Sequence, residues 1–172
     1  MGTTQILKAL DKFIKIGDFV MVKLGASFLL LIVISITAGV VTRYVFNSPW
    51  SWTEELAQML FIWISFLGAA VASARKKHII VDVFVLKWNE DTRRTVSIIT
   101  NILVLVFLAV VCIGGWELGA RMIKQGHVSA DLDMPKSWYY IPVLIASFYI
   151  AVVHVGDLIR DIFKLPRRES TV

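Results

Sequence analysis

The sequence predicts an all-α integral membrane protein with four transmembrane helices. Three observations support this: 57% of the 172 residues are hydrophobic, the mean hydropathy is +0.71, and the charged residues leave four long uncharged stretches. A soluble domain has about 45–50% apolar residues, so lipid is the expected solvent for much of the chain. No linker or internal repeat divides the sequence, and residues 1–172 are predicted to form a single membrane domain.

Each uncharged stretch is long enough to cross a bilayer. The four stretches are Leu24–Thr42, Leu56–Ala74, Thr95–Trp116 and Ser137–Gly156. About 19–22 residues, at about 1.5 Å per residue, reach about 28–33 Å, and a hydrocarbon core is about 30 Å thick. Barrel strands would be about 10 residues long and would alternate, so helices are predicted. The predicted spans cover about residues 20–42, 56–74, 95–116 and 137–156.

The basic residues predict how the chain is oriented. Of the 18 Lys and Arg residues, 14 lie before the first span, in the second loop or in the C-terminal tail, and only four lie in the first and third loops. Short cytoplasmic loops carry an excess of Lys and Arg. Both termini are therefore predicted to be cytoplasmic, and the first and third loops are predicted to face the outside.

Two apolar segments outside the spans are predicted to lie in the membrane interface. Residues 4–17 place apolar side chains at helical spacing with lysines on other faces, which is typical of a basic amphipathic interfacial helix. The alternative is that this segment simply extends the first span. Residues 78–88 are too short to span and too apolar for a solvated loop, so they are predicted to lie along the cytoplasmic interface or to pack on a partner. Their periodicity leaves helix and extended strand open.

The first loop carries turn and helix-start signals. Residues 47–51 (Asn-Ser-Pro-Trp-Ser) predict a turn, and Ser51 with Glu54 fits a capping box at the start of the second span. Trp50 and Trp52 lie where aromatic side chains concentrate at a membrane interface.

The spans contain no ionisable residue at their centres. Pumps and exchangers keep such residues at membrane depth as parts of ion paths, so this chain is a poor candidate for a translocating unit. The second span has a small-residue stripe instead, with Ser65, Ala69 and Ser73 four residues apart. Small residues let helices approach closely. This stripe is predicted either to pack within the bundle or to contact another subunit.

No pattern in the sequence indicates an enzyme. Neither a metal-ligand spacing of Cys, His and carboxylates nor a nucleophile–base pair is visible. No cofactor or metal is therefore expected in this chain. The net charge of +5 follows the membrane topology, so no nucleic-acid partner is expected.

Several short motifs resemble one transporter family. They are Arg43-Tyr44-Val45-Phe46, Trp52-Thr53-Glu54-Glu55-Leu56-Ala57, Phe61-Ile62-Trp63, Leu67-Gly68-Ala69-Ala70, His78-Ile79 with Val81-Asp82, and Pro135 with Trp138, Tyr140, Ile141 and Pro142. Together they resemble the small membrane subunit of tripartite ATP-independent periplasmic (TRAP) transporters. The chain departs from the family pattern at Lys77 and Leu144, where the family often has glycine.

This resemblance implies a function that the chain does not perform alone. In the family, a large multi-span membrane subunit carries the substrate and sodium sites, and a periplasmic binding protein delivers an organic anion such as a C4-dicarboxylate or a sialic acid. The chain is then expected in the bacterial inner membrane as a non-catalytic scaffold that supports the large subunit, with sodium bound by that partner. The residues proposed to contact partners are Arg43, Trp50, Trp52, Glu54, Glu55, Trp63, Ser65, Ala69, Ser73, His78 and Asp82.

Three other classes remain open at this stage. A haem- or quinone-linked membrane subunit would need facing histidines inside the spans, which the sequence lacks. A self-sufficient small exporter would need a carboxylate at membrane depth. An accessory subunit of another membrane complex is not excluded by any residue pattern.

Overall fold

The structure, a computed structural model, describes residues 2–75 and 89–163. Its long helices are α1 (Gly2–Tyr44), α2 (Trp52–Ala74), α3 (Glu90–Lys124) and α4 (Ile141–Ile162), and a short 3-10 helix at Lys136–Tyr139 precedes α4. All four are long and apolar enough to cross a membrane, which confirms the predicted all-α, four-span class. The predicted interfacial segment 78–88 lies outside the described residues.

The four helices lie side by side in a row rather than in a closed bundle. Helix α1 packs on α2, α2 on α4, and α4 on α3, while the N-terminal part of α1 also contacts α4. Within the described ranges, α3 has at most a marginal contact with α1 or α2. The flanking helices α1 and α3 are consequently exposed, with 11% of their most apolar segments buried against 33% for α2 and α4.

The core of the row is thin and is built from α1, α2 and α4. Small side chains on the two central helices let the backbones approach closely, and larger ones fill the space that remains. The buried cluster consists of Ile14, Met21, Leu67, Ala70, Ala74, Ala146, Tyr149 and Val153.

Helix α1 is continuous through the segment predicted to be a separate interfacial helix. Residues 4–17 belong to the same helix as the first span, so the predicted break between them is absent. The reason is that one apolar stripe crosses the boundary: Leu7, Ile14 and Met21 are all buried, at seven-residue intervals. With 43 residues, α1 is about 64 Å long. Whether residues 4–17 lie in the membrane interface remains a prediction.

The fourth helix begins later than its predicted span. Residues 136–139 form the 3-10 helix, and α4 starts at Ile141 with Pro142 in its first turn. Proline lacks an N–H and fits that position, where the backbone donor would be unpaired in any case. The turn predicted around residues 47–51 is confirmed, because the chain reverses between α1 and α2 with Asn47 in the left-handed region at φ 50°.

Helix α1 packs tightly against the start of α2 at Gly39. A Cβ atom there would lie less than 3.0 Å from Thr53 Oγ1. The absence of this atom lets Ser35 Oγ donate to the Thr53 carbonyl at 2.8 Å, and Thr53 is only 1% exposed.

We therefore predict that Gly39→Ala lowers the free energy of unfolding by about 1–3 kcal/mol, because the added methyl overpacks a buried contact. Gly25→Ala is the matched control on the same helix, where a Cβ meets nothing within 4 Å. It should be neutral or stabilising by up to about 1 kcal/mol, since alanine favours helix. Thermal unfolding of both variants in one detergent checks this, and equal melting temperatures would contradict it.

Candidate functional site

Two hydroxyl side chains within the spans bond to their own helices. Thr37 Oγ1 donates to the Val33 carbonyl at 2.7 Å, and Ser65 Oγ donates to the Phe61 carbonyl at 2.8 Å. These hydroxyls therefore connect no helices. Apart from the Ser35–Thr53 bond between α1 and α2, the polar contacts between helices lie near the two ends of the helices. We call the end with Asp18, Arg75 and Asp161 the terminal end, and the end with Glu54 and Asp131 the loop end.

At the terminal end an ion pair joins α1 to the end of α2. Arg75 Nε lies 3.1 Å from Asp18 Oδ1, and Arg75 Nη2 lies 2.9 Å from Asp18 Oδ2. Hydrogen bonding to Asp18 raises the pKa of Arg75 above its ordinary value, so the guanidinium stays charged. The two side chains are 28% and 14% exposed, which shields the pair from solvent more than an ordinary surface pair.

A second group of contacts joins α1 to α4. Arg160 Nη2 donates to both carboxylate oxygens of Asp11, at 2.8 and 2.7 Å, and Tyr149 Oη donates to the Ile14 carbonyl at 2.8 Å. Gly17 makes room for this tyrosine, because a Cβ there would lie 2.5 Å from the Tyr149 ring. The N-terminal part of α1 is therefore fixed against α4.

A chain of side-chain hydrogen bonds joins α2, α4 and α3 at the same end. His154 Nε2 lies 3.1 Å from Ser73 Oγ, and His154 Nδ1 lies 2.7 Å from Asn101 Oδ1. Ser97 Oγ then donates to Asp161 Oδ2 at 2.5 Å. Since Asn101 Oδ1 can only accept, His154 carries its proton on Nδ1, and a neutral ring accepts from Ser73. These hydrogen bonds connect three helices that are successive neighbours in the row.

At the loop end, Glu55 binds the third loop. Its Oε2 accepts from the backbone N–H of Asp131 at 2.9 Å and of Leu132 at 3.1 Å. Ser51 Oγ donates to Asp131 Oδ1 at 2.6 Å. The loop itself is closed by an antiparallel bridge between Val128 and Pro135. These contacts make the third loop part of the packed structure.

The predicted capping box at Ser51 is wrong. Ser51 has helical backbone angles (φ −62°, ψ −31°) and makes no side-chain cap hydrogen bond, whereas an N-cap needs an extended backbone. Its hydroxyl binds Asp131 instead, and Glu54 pairs with Arg43 rather than returning to Ser51.

The sequence-predicted contact residues fall into two groups. Three are used inside the chain: Glu55 binds the third loop, Ser73 contacts His154, and Trp63 packs edge-on against Phe28 of α1 with ring centroids 5.9 Å apart.

The other predicted contact residues that lie within the described ranges have exposed side chains. Arg43 and Glu54 pair while both stay more than half exposed, Trp50 and Trp52 stack at 5.8 Å, and Ser65 and Ala69 are exposed. His78 and Asp82 lie outside the described residues.

The exposed small residues form a continuous face on α2. Ser65, Gly68, Ala69 and Ala72 are all exposed, and a Cβ on Gly68 would meet nothing within 4 Å. We call these four residues the small-residue face. Because α2 is central in the row, this face lies in the middle of one broad side of the protein.

The terminal-end contacts were not predicted from the sequence. Their partners lie far apart along the chain, 57 residues for Asp18 with Arg75 and 149 for Asp11 with Arg160. One signal was present: Asp11 and Asp18 are seven residues apart in a basic segment and share a helix side with Ile14.

The described residues form a membrane subunit with four long helices. Polar side chains connect neighbouring helices at the terminal end and join α2 to α1 and to the third loop at the loop end. Residues 32–164 match the family described as tripartite ATP-independent periplasmic transporters, DctQ component. The chain belongs to this family of TRAP transporter small permease subunits.

Individual relatives agree with this assignment. The chain is 31% identical, over 83% of its length and 88% of the relative, to a Haemophilus influenzae protein assigned as a TRAP transporter small permease. It is 32% identical, over 80% of its length and 78% of the relative, to the Vibrio cholerae sialic acid TRAP transporter small permease protein SiaQ.

Other relatives are much longer permeases. The chain is 31% identical over 60% of its length, but only 16% of the relative, to the isethionate TRAP transporter permease protein DctMQ of Oleidesulfovibrio alaskensis. Relatives thus include proteins in which the small-subunit region is fused to a large permease, which supports a large transport subunit as the partner.

We predict that Asp18 and Arg75 couple by about 1–3 kcal/mol in a double-mutant cycle with Asp18→Asn and Arg75→Gln. The control is the Glu117–Arg121 pair on α3, whose side chains are 61% and 62% exposed and which should couple by less than about 0.5 kcal/mol. Unfolding of the full chain in mixed micelles measures both. Equal coupling energies would show that the terminal-end pair has no special structural role.

We also predict that Glu55→Ala speeds hydrogen exchange at the Asp131 and Leu132 amides by about tenfold or more. The reason is that each amide loses a charged acceptor, a bond worth about 1.5–3 kcal/mol. Glu54→Ala is the matched control, since Glu54 is bonded to Arg43 and not to the loop. Unchanged exchange in Glu55→Ala would mean that other contacts order this loop.

Proposed function

We propose that this chain is the non-catalytic scaffold subunit of a sodium-coupled, binding-protein-dependent importer of organic anions in a bacterial inner membrane. It pairs with a large transport subunit and braces it in the bilayer, while substrate and sodium bind to that partner. The observation that carries this proposal is the row of four helices, in which polar contacts at the terminal end connect every neighbouring pair and Glu55 binds the third loop at the other end.

The brace role rests on the rigidity of the row. At the terminal end every neighbouring pair of helices is connected: Asp18–Arg75 joins α1 to α2, Ser73–His154 joins α2 to α4, and Ser97–Asp161 joins α4 to α3. At the loop end Glu55 ties α2 to the third loop. Helices connected in this way resist sliding past one another. A stationary support for a moving transport subunit requires this resistance.

The small-residue face is the proposed contact with the large subunit. Without a hydrophobic driving force in lipid, helices associate through close packing, which small residues permit. Ser65, Gly68 and Ala69 offer that packing surface at mid-span on a central helix. The fused relatives support a partner in the same membrane.

The loop end is the proposed contact with the binding protein. Under the predicted orientation it faces the periplasm, and it presents the exposed Arg43–Glu54 pair and the stacked Trp50 and Trp52 rings. The relatives named for sialic acid, isethionate and C4-dicarboxylate support an organic anion as substrate.

Reconstitution tests the proposal. The chain, a co-expressed large subunit and the binding protein should together take up a labelled organic anion under an inward sodium gradient, and the chain alone should transport nothing. Uptake by the chain alone, or a haem absorption band in the purified complex, would overturn it. The N-terminal deletion of residues 1–15 should impair complex stability, because it removes the partner of the buried Arg160.

We predict that Ala69→Trp lowers recovery of the large subunit with the tagged chain by about tenfold, because the indole prevents close approach at the small-residue face. Ala109→Trp is the matched control, since Ala109 is also exposed in a span but lies on α3. Co-purification from membranes measures both. Normal recovery with Ala69→Trp, or loss only with Ala109→Trp, would place the partner elsewhere.

A further inference from the structure

Between Leu7 and Lys23, α1 has two chemically opposite sides. The side toward the row buries Leu7, Ile14 and Met21. The two acidic residues of this segment also point inward, Asp11 to Arg160 and Asp18 to Arg75. Its negative charges are therefore neutralised within the protein, and the outer side keeps only positive ones.

The outer side combines lysines with large apolar side chains. Lys12, Lys15, Ile16, Phe19 and Lys23 are all exposed, with Ile16 at 55% and Phe19 at 65%. We call these five residues the lysine face. In the described part of the chain, no carboxylate forms an ion pair with any of its three lysines.

One lysine is already turned toward the terminal end. Lys23 Nζ lies 5.7 Å from the centroid of the Phe19 ring, one turn nearer the N-terminus. In this conformation the aliphatic stem of Lys23 lies along apolar surface, while its ammonium extends toward the polar boundary of the membrane.

The position of the lysine face along α1 corresponds to a membrane boundary. Helix α2 has 23 residues and ends at Ala74. Its length of about 34 Å is just enough to cross a hydrocarbon core about 30 Å thick. Arg75 follows at the end of that span, and Asp18 lies opposite it. The residues from Lys12 to Lys23 extend about 16 Å along the axis of α1. They therefore lie on both sides of the level of Asp18, which marks the end of the α2 span.

We propose that the lysine face binds the headgroups of anionic phospholipids in the leaflet at the terminal end. The ammonium groups match a phosphodiester, while Phe19 and Ile16 match the acyl chains just below it. A soluble acidic partner would satisfy the lysines and leave these two side chains uncovered. The charge bias of the whole sequence assigns the same end to the cytoplasmic side, where anionic lipids attract basic segments. This inference does not depend on the proposed transport function.

Native mass spectrometry of the full chain in detergent, titrated with phosphatidylglycerol or with phosphatidylcholine of the same acyl chains, tests the proposal. The wild type should bind phosphatidylglycerol more tightly. Lys12→Gln with Lys15→Gln should reduce that preference by about 25-fold, since each lysine near a lipid surface contributes about a fivefold factor. Lys12→Arg with Lys15→Arg should retain it.

The matched control is Lys124→Gln with Lys136→Gln, which removes two exposed charges at the loop end and should leave the preference unchanged. For the wild type, raising the salt concentration should weaken phosphatidylglycerol binding. Three results would overturn the proposal: equal loss in the control, an unchanged preference in the Gln variant, or equally tight binding of soluble glycerol phosphate, which would indicate an anion site rather than a lipid site.

Discussion

Lipid tails are as apolar as leucine, so burial of apolar side chains cannot by itself hold these helices together. The helices are held together instead by tight packing, in which Thr53 and the Tyr149 ring lie against Gly39 and Gly17, and by polar contacts at the ends of the helices. The hydroxyls of Thr37 and Ser65, within the spans, are instead bonded to their own helices. The strongest connections therefore lie where water and headgroups begin, and charged pairs are least costly there.

The same constraint explains why the helices form a row rather than a closed bundle. In water four amphipathic helices would close around a core, but here α1 and α3 leave most of their apolar surface exposed. The row has two broad sides and consequently more perimeter than a bundle of equal size. Under the proposed function, this shape enlarges the membrane footprint of the partner. Relatives of the chain include proteins in which the small-subunit region is fused to a large permease.

Local sequence signals predicted what depends on local physics. Uncharged stretches predicted the spans because desolvating a charge is costly anywhere along a helix, and Asn47 with its neighbours predicted the turn. The capping box failed because Asp131, 80 residues away, competes for the Ser51 hydroxyl. The Asp11–Arg160 and Asn101–His154 contacts could not be predicted, since they depend on which helices become neighbours. The sequence also could not show which candidate contact residues are available to a partner. Ser73 contacts His154 within the chain, whereas Ala69 is exposed.

The bond between Glu55 and the third loop has a consequence for how the protein is made. The loop's two amide donors and their carboxylate acceptor are separated by 76 and 77 residues, so this contact cannot form until three helices have entered the bilayer and the connection to α4 has been synthesised. Until then Glu55 remains hydrated near the membrane surface. The amides of Asp131 and Leu132 therefore become protected only in a chain whose third helix has returned the loop to the side of the membrane where Glu55 lies.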